Sequence, residues 1–269
     1  MANSIVFKSP GASTDTSLPQ VKKDAVLNAG SLFLIDFLRL GCWNPATDVV
    51  ANNAPVRNLV SGAPAASLQI PAAGDLTFVA GLGMQLRATV ALGRLQIGAA
   101  NAYFQGATVG QDLLMTAWVT YPATDPGGHI GRLIEHGTLA TYSSDGPSLA
   151  ARYTAGGDMY GRMDNASGNG SAAGGVGSPA GKHQFAVAKV GTNCLLYRDG
   201  VLKATVALGT PALAANANPL SFGNGHVAGQ YAVPGAILHR VYGENLTVSG
   251  ATAGAQVALD YAQNSARFV

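Results

Sequence analysis

The sequence predicts an all-β sandwich closed by one C-terminal helix, and three observations carry that expectation. Apolar residues alternate with period two from residue 31 onward, as in half-buried strands. Turn chemistry punctuates these runs, most sharply at Asp199-Gly200, a pair suited to a two-residue hairpin because a type I′ turn needs positive φ at both positions. Helical spacing is convincing only in residues 251–266, where Ala253, Val257 and Tyr261 recur one above the other with no proline between them. At 269 residues the chain has ample length for one large all-β domain.

Residues 1–30 read as an arm. Ser9-Pro10-Gly11-Ala12-Ser13-Thr14 is loop chemistry, and residues 21–27 hold too few apolar positions for an independent helix. The segment is either a disordered terminus or an arm ordered against a neighbouring subunit, with Ile5, Val6 and Phe7 adding a strand to that subunit's sheet edge. The sandwich then spans 31–269. Its first strand is read over 31–38, followed by a loop-like stretch over 48–62 and strands at 76–79, 83–90 and 94–97. Residues 111–122 are apolar on both pleat faces, which places that strand mid-sandwich or beneath an extra layer. Alternating segments continue over 129–136 and 148–163, and the Gly/Ser/Ala-rich stretch 165–181 reads as a long flexible loop. Residues 182–207 form an antiparallel meander of three strands. A last strand is expected over 235–242, with 246–250 leading away from it to the helix.

Composition excludes several classes. Charged residues are 11% of the chain and the net charge is +2, without any basic block, so nucleic-acid binding has no electrostatic footprint. No apolar run is long enough to span a membrane, and residues 1–20 carry no secretory h-region, so synthesis in a cytoplasm is expected. Cys42 and Cys194 lie outside any metal or redox spacing and read as two buried thiols or one disulfide.

The order of the segments resembles the concanavalin A-like lectin/glucanase superfamily, in its laminin-G-like form. The pieces are Phe33 to Leu38 followed by Asp48, Asn53 and Leu59; Ala117-Trp118-Val119; His183-Gln184-Phe185; Leu196-Tyr197-Arg198-Asp199-Gly200; Pro219-Leu220-Ser221-Phe222-Gly223; and Val241-Tyr242 before the helix. The resemblance implies a jelly-roll of two antiparallel sheets of six or seven strands, packed face to face.

Catalytic chemistry is missing. Glycoside hydrolysis needs paired carboxylates, whereas the only glutamates, Glu135 and Glu244, have no acidic neighbour within three residues. No nucleophile elbow of the G-x-S-x-G type is formed. The chain is therefore expected not to be an enzyme and to need no cofactor. Calcium is the one ion with candidate ligands, Asp125, Asp158 and Asp164, which read equally as turn-forming residues. For sugar binding, Tyr153, Met159, Tyr160, Arg162 and Asn165 gather aromatic and polar groups beside the Gly-rich stretch, with Tyr142 and Tyr231 as additions. Trp118, in an apolar strand, reads as core.

A charge-poor, glycine-rich surface associates readily. Laminin-G-like sandwiches recur, by family resemblance, in tailed-phage and prophage particles. The sequence thus predicts a structural virion protein of tail, baseplate, fibre or head decoration, partnered by copies of itself and other virion proteins. The alternative is a carbohydrate-binding, lectin-like module that contacts a host surface glycan.

Overall fold

The computed structural model describes residues 24–39, 41–43, 51–70, 73–86, 93–97, 110–123, 130–137, 145–152, 158–164, 170–173, 176–213, 219–223 and 233–268. Two antiparallel eight-stranded sheets lie face to face, and a helical layer covers the outer side of one of them.

The first sheet contains β1 (Ser31–Asp36), β4 (Leu76–Val79), β5 (Gly83–Leu86), β7 (Leu113–Tyr121), β12 (Gly181–Val190), β13 (Asn193–Arg198), β14 (Val201–Ala207) and β16 (Ile237–Asn245). Its order is β14-β13-β12-β7-β16-β5-β4, with β1 pairing the later part of β16. The second sheet runs β11 (Gly170–Ala173), β10 (Asp158–Asp164), β9 (Asp145–Arg152), β8 (Ile130–Gly137), β15 (Leu220–Phe222), β6 (Arg94–Ile97), β3 (Ala66–Gln69), β2 (Pro55–Val56). Two helices follow β16, α1 (Leu246–Ser249) and α2 (Ala253–Asn264). Among the described residues no helix is long and apolar enough to cross a membrane.

Between the sheets lies an apolar core to which Phe33, Ile35, Leu95, Met115, Phe185, Leu196, Phe222 and Val241 contribute. The alternate residues of the first sheet face the other way and are buried as well. Leu34, Leu114, Ala186, Ala188 and Tyr242 pack under Val26, Leu246, Ala253 and Val257. The small side chains of Ala186 and Ala188 leave room for α2 to lie close on β12. This second layer explains why β7 is apolar on both faces, as its sequence requires.

One lateral row on that outer face is polar. Asp36 pairs with Arg240, Arg240 with Trp118, and Trp118 with Gln184, across four adjacent strands. A bulge in β16 between Leu238 and Arg240 turns Arg240 outward. The Asp260 carboxylate of α2 accepts from the Trp118 indole at 2.6 Å, Gln184 Nε2 at 2.8 Å, Arg240 Nε at 3.0 Å and Asn264 Nδ2 at 3.0 Å. Arg240 also donates to Asp24 at 2.8 and 3.0 Å and to Asp36 at 3.1 Å, while Arg267 reaches Asp36 at 2.8 Å. Tyr261 stacks on Trp118 with centroids 5.7 Å apart, and Phe268 closes the far side at 5.2 Å.

Several expectations need correction. The sheets have eight strands each, not six or seven. Residues 165–181 are not loop throughout, because β11 lies within them and pairs with β10. Residues 48–62 include β2, and 246–250 form the short helix α1, capped by Asn245 and ended by Gly250 in the left-handed region. Burial begins before residue 31: Val26 is core, and Asp24 joins the polar row. Residues 1–23, with Ile5, Val6 and Phe7, lie outside the described residues. Both cysteines are free and buried, and burial pushes the Cys42 thiol up to about 11 and the Cys194 thiol up to about 12.

Two outcomes follow. Burial raises the Asp24 pKa, but the hydrogen bonds and charge of Arg240, with help from the Val26 N–H and Arg39, win and hold it below the usual carboxylate range. A depressed folded pKa contributes stability above the unfolded value, lost as the pH falls through the folded one. The difference in urea midpoint between wild type and Asp24→Asn should therefore be constant at neutral pH and close as the pH drops below 3.8; a pH-independent difference would show that the pairing is absent. Gly200 sits at φ 79°, with its Cβ position 3.3 Å from the Tyr261 ring. Gly200→Val should cost about 1–3 kcal/mol, seen as a lowered Tm, and an unchanged Tm would mean that the turn tolerates a side chain.

Candidate functional site

The β13–β14 hairpin turns on Asp199 at φ 51° and Gly200 at φ 79°, the two positive values its sequence calls for. Gln184 of β12 holds this turn. Its N–H donates to Asp199 Oδ1 at 3.0 Å, its carbonyl accepts the Asp199 N–H at 2.9 Å, and its Oε1 accepts the Gly200 N–H at 2.9 Å.

Beside the turn, His183 Nδ1 lies 2.7 Å from Asp199 Oδ2, and Arg198 Nη2 lies 2.8 Å from His183 Nε2. His183 Nε2 also lies 3.0 Å from the Ala180 carbonyl, and Arg198 Nε donates to Nδ1 at 3.4 Å, so the imidazole is held between a carboxylate, a carbonyl and a guanidinium. Burial alone would raise the Asp199 pKa. The His183 hydrogen bond, the Gln184 N–H and the positive charge of Arg198 outweigh it and lower the pKa. Arg198 Nη1 donates to the Val176 carbonyl at 3.4 Å. At Gly177, φ 89° calls for glycine, and a Cβ there would stand 2.6 Å from that same nitrogen and push it aside.

These groups border a cleft of about 410 Å³ lined by Val176, Gly177, Arg198, Asp199, Val201 and Lys203. Two cations, one carboxylate, backbone amides and two valines face one space. Such a set can hydrogen-bond a ligand's hydroxyl and acidic groups while packing against its carbon skeleton.

One member of the sugar group read from the sequence, Met159, lies next to this corner. The Met159 N–H of β10 donates to the Gly177 carbonyl at 3.2 Å, which ties the start of β10 to the cleft wall. Met159 itself is core, contrary to its inclusion in that group, and so is Met163. Positions 160 and 162 alternate with these and share the outer face of the second sheet. Across that face the register aligns Ser67, Gln96, Ser221, Glu135, Ser148 and Arg162 in one lateral row of six adjacent strands. Tyr153, Asn165, Tyr142 and Tyr231 lie outside the described residues. Of the calcium candidates, Asp125 also lies outside them, and Asp158 and Asp164 stand at opposite ends of β10, about 20 Å apart at strand rise. Among the described residues no three His, Cys, Asp or Glu side chains come together as a metal site.

Sequence reasoning missed His183, Arg198 and Lys203 as site residues. The available signal was the Asp-Gly turn, which brings residues on both sides of it to one end of the sheet. The two glutamates are far from forming a pair: Glu135 belongs to the second sheet, and Glu244 bonds Tyr242 and Asn28 on the outer side of the first.

No family model matches the chain, and no curated protein matches its sequence. Solved structures share its fold. The botulinum neurotoxin serotype D binding domain superposes with a TM-score of 0.59 at 10% identity, over 89% of this chain and 52% of that one. Trypanosoma rangeli sialidase in complex with sialic acid gives 0.61 at 12% identity, over 90% of this chain and 34% of the enzyme. A mutant of that sialidase displaying trans-sialidase activity gives 0.61 at 13%, over 91% and 35%. This chain thus spans about half of the toxin domain and a third of the sialidase. At such identities the likeness is one of fold, a β-sandwich.

Proposed function

We propose that this protein is a lectin-like binding module that holds a glycan at the hairpin-end cleft and does not turn it over. The observation that carries this reading is the cleft itself, where Arg198, Asp199 and Lys203 border one space between two valines. The two cations favour a sugar bearing an acidic group. Arg198 and Asp199 are held by His183 and Gln184, so part of the ordering needed for binding is made in advance. Strand β10, whose sequence carries Tyr160 and Arg162, adjoins the cleft through the Met159 N–H. The likeness to a toxin binding domain and to a sialidase solved with sialic acid supports the choice of ligand class, as does the laminin-G-like order of segments in the sequence.

A second reading, a subunit of a tailed-phage particle, draws on one specific feature. Edge strand β14 exposes two apolar side chains, Val201 at 54% and Leu202 at 48%, at a sheet edge where another subunit could add a strand. The two readings are compatible in a particle component that touches its host. Light scattering coupled to size exclusion separates them: a fixed oligomer favours the particle subunit and a monomer the free module.

The test of the leading reading is a glycan array probed with the purified protein, with and without EDTA. Acidic glycans should be retained equally in both conditions. Lys203 is exposed on β14, so Lys203→Glu should leave melting unchanged and reduce retention about tenfold, the loss of one charge-assisted hydrogen bond. An array with no retained glycan, or a Lys203→Glu variant that binds as wild type, would sink it.

A further inference from the structure

The helical layer leaves one part of the first sheet's outer side open. A groove of about 460 Å³ runs between the start of α2, the α1–α2 connection and the sheet, with Val190, Leu195 and Leu246 among its walls. It shares no lining residue with the hairpin-end cleft.

Two features of this groove are unused by the fold. Tyr197 lines it at only 5% exposure, yet its hydroxyl has no hydrogen-bond partner among the described residues. The hydroxyl is open to the groove and not sealed within the fold. The hydroxyl lies 4.0 Å from where a Cβ on Gly254 would stand, which places it against the first turn of α2. The second feature is that turn. Thr252 caps the twelve-residue helix and accepts the Ala255 N–H, while the Ala253 and Gly254 N–H groups have no partner among the described residues. Glycine at 254 weakens the helix by about 1 kcal/mol relative to alanine, and it leaves these donors without side-chain cover. The positive end of the helix dipole adds to them.

Residues carrying three donors thus line one groove, and no acceptor among the described residues takes any of them. The carboxylate in the lining, Asp112, is already engaged by Lys189 Nζ at 3.1 Å and the Gly191 N–H at 2.7 Å. We propose that the groove binds the carboxylate of a small organic acid with a compact apolar body. The carboxylate accepts the Ala253 and Gly254 N–H groups and the Tyr197 hydroxyl, and the body lies on Val190 and Leu195. A singly charged head fits best, because among the described residues no lysine or arginine lines the groove and a helix end supplies only about half a positive charge. Burial raises the Tyr197 pKa, so the phenol keeps its proton for donation at neutral pH.

The full-length chain is titrated calorimetrically and by ligand-observed NMR with benzoate and 3-methylbutanoate. Benzamide and 3-methylbutanamide serve as neutral shape controls, and inorganic phosphate as the anion control. Both acids should saturate, and the amides should bind about tenfold more weakly or worse, as expected for hydrogen bonds that lose a charged acceptor. Tyr197→Phe should weaken the acids about tenfold with no change in Tm, because the lost hydroxyl bonds nothing in the protein. Ala253→Pro removes one N–H where proline suits a helix start, after an extended Thr252, and should also weaken binding. Failure of either acid to saturate, equal affinity for the amides, tighter binding of phosphate, or wild-type affinity in Tyr197→Phe would overturn the proposal.

Discussion

A single buried carboxylate organises the outer half of this molecule. Asp260 projects from α2 onto the first sheet and gathers an arginine, an indole and an amide from three neighbouring strands. Taking such charges out of water is costly, and it is tolerated only when every charge is matched and hydrogen-bonded. The matching is complete here. Asp24, Asp36 and Asp260 face Arg39, Arg240 and Arg267, three against three. Removing one of the buried members, Asp24, Asp36, Asp260 or Arg240, would strand its partners in a dry layer, which costs about 3–5 kcal/mol in comparable cases. The network also fixes where α2 sits, since an apolar helix face alone could slide on alanines.

Gln184 carries this order to the edge of the fold. Its side-chain amide donates to Asp260 and accepts the Gly200 N–H, while its backbone pairs with Asp199. The hairpin-end cleft is thus fastened to the buried network through one residue. The groove at the other end of α2 depends on the same placement, because sliding the helix would carry its first turn away from Tyr197. Both candidate sites therefore sit at the margins of one rigid layer.

Much of the frame is legible in the sequence because it is local. Strands β4 and β6 and the meander follow from alternation and turn residues, and α2 follows from the spacing of Ala253, Val257 and Tyr261. The polar row is not legible. Asp36, Arg240 and Asp260 each look like a solitary charge, and only the register of strands distant in the chain makes them neighbours. Strand β11 escaped notice because glycine, serine and alanine mark loops as readily as narrow edge strands. The cleft was half legible: Asp199-Gly200 announced the turn, but the arrival of Val176 and Gly177 beside it depends on tertiary packing.

The partnership of β1 with β16 has a consequence for how the chain acquires its structure. Asp24 meets Arg240 across 216 residues and Asp36 meets it across 204, so the earliest described segment waits for nearly the last. Contacts of such separation pay their loop-closure entropy before they return any stability, and folding slows as they come to dominate. On a ribosome the meander has all its parts once residue 207 is clear, whereas Phe33, Leu34 and Ile35 stay exposed as an unpaired apolar strand until β16 emerges. That interval, rather than any weakness of the finished sandwich, is when this protein is most vulnerable to aggregation.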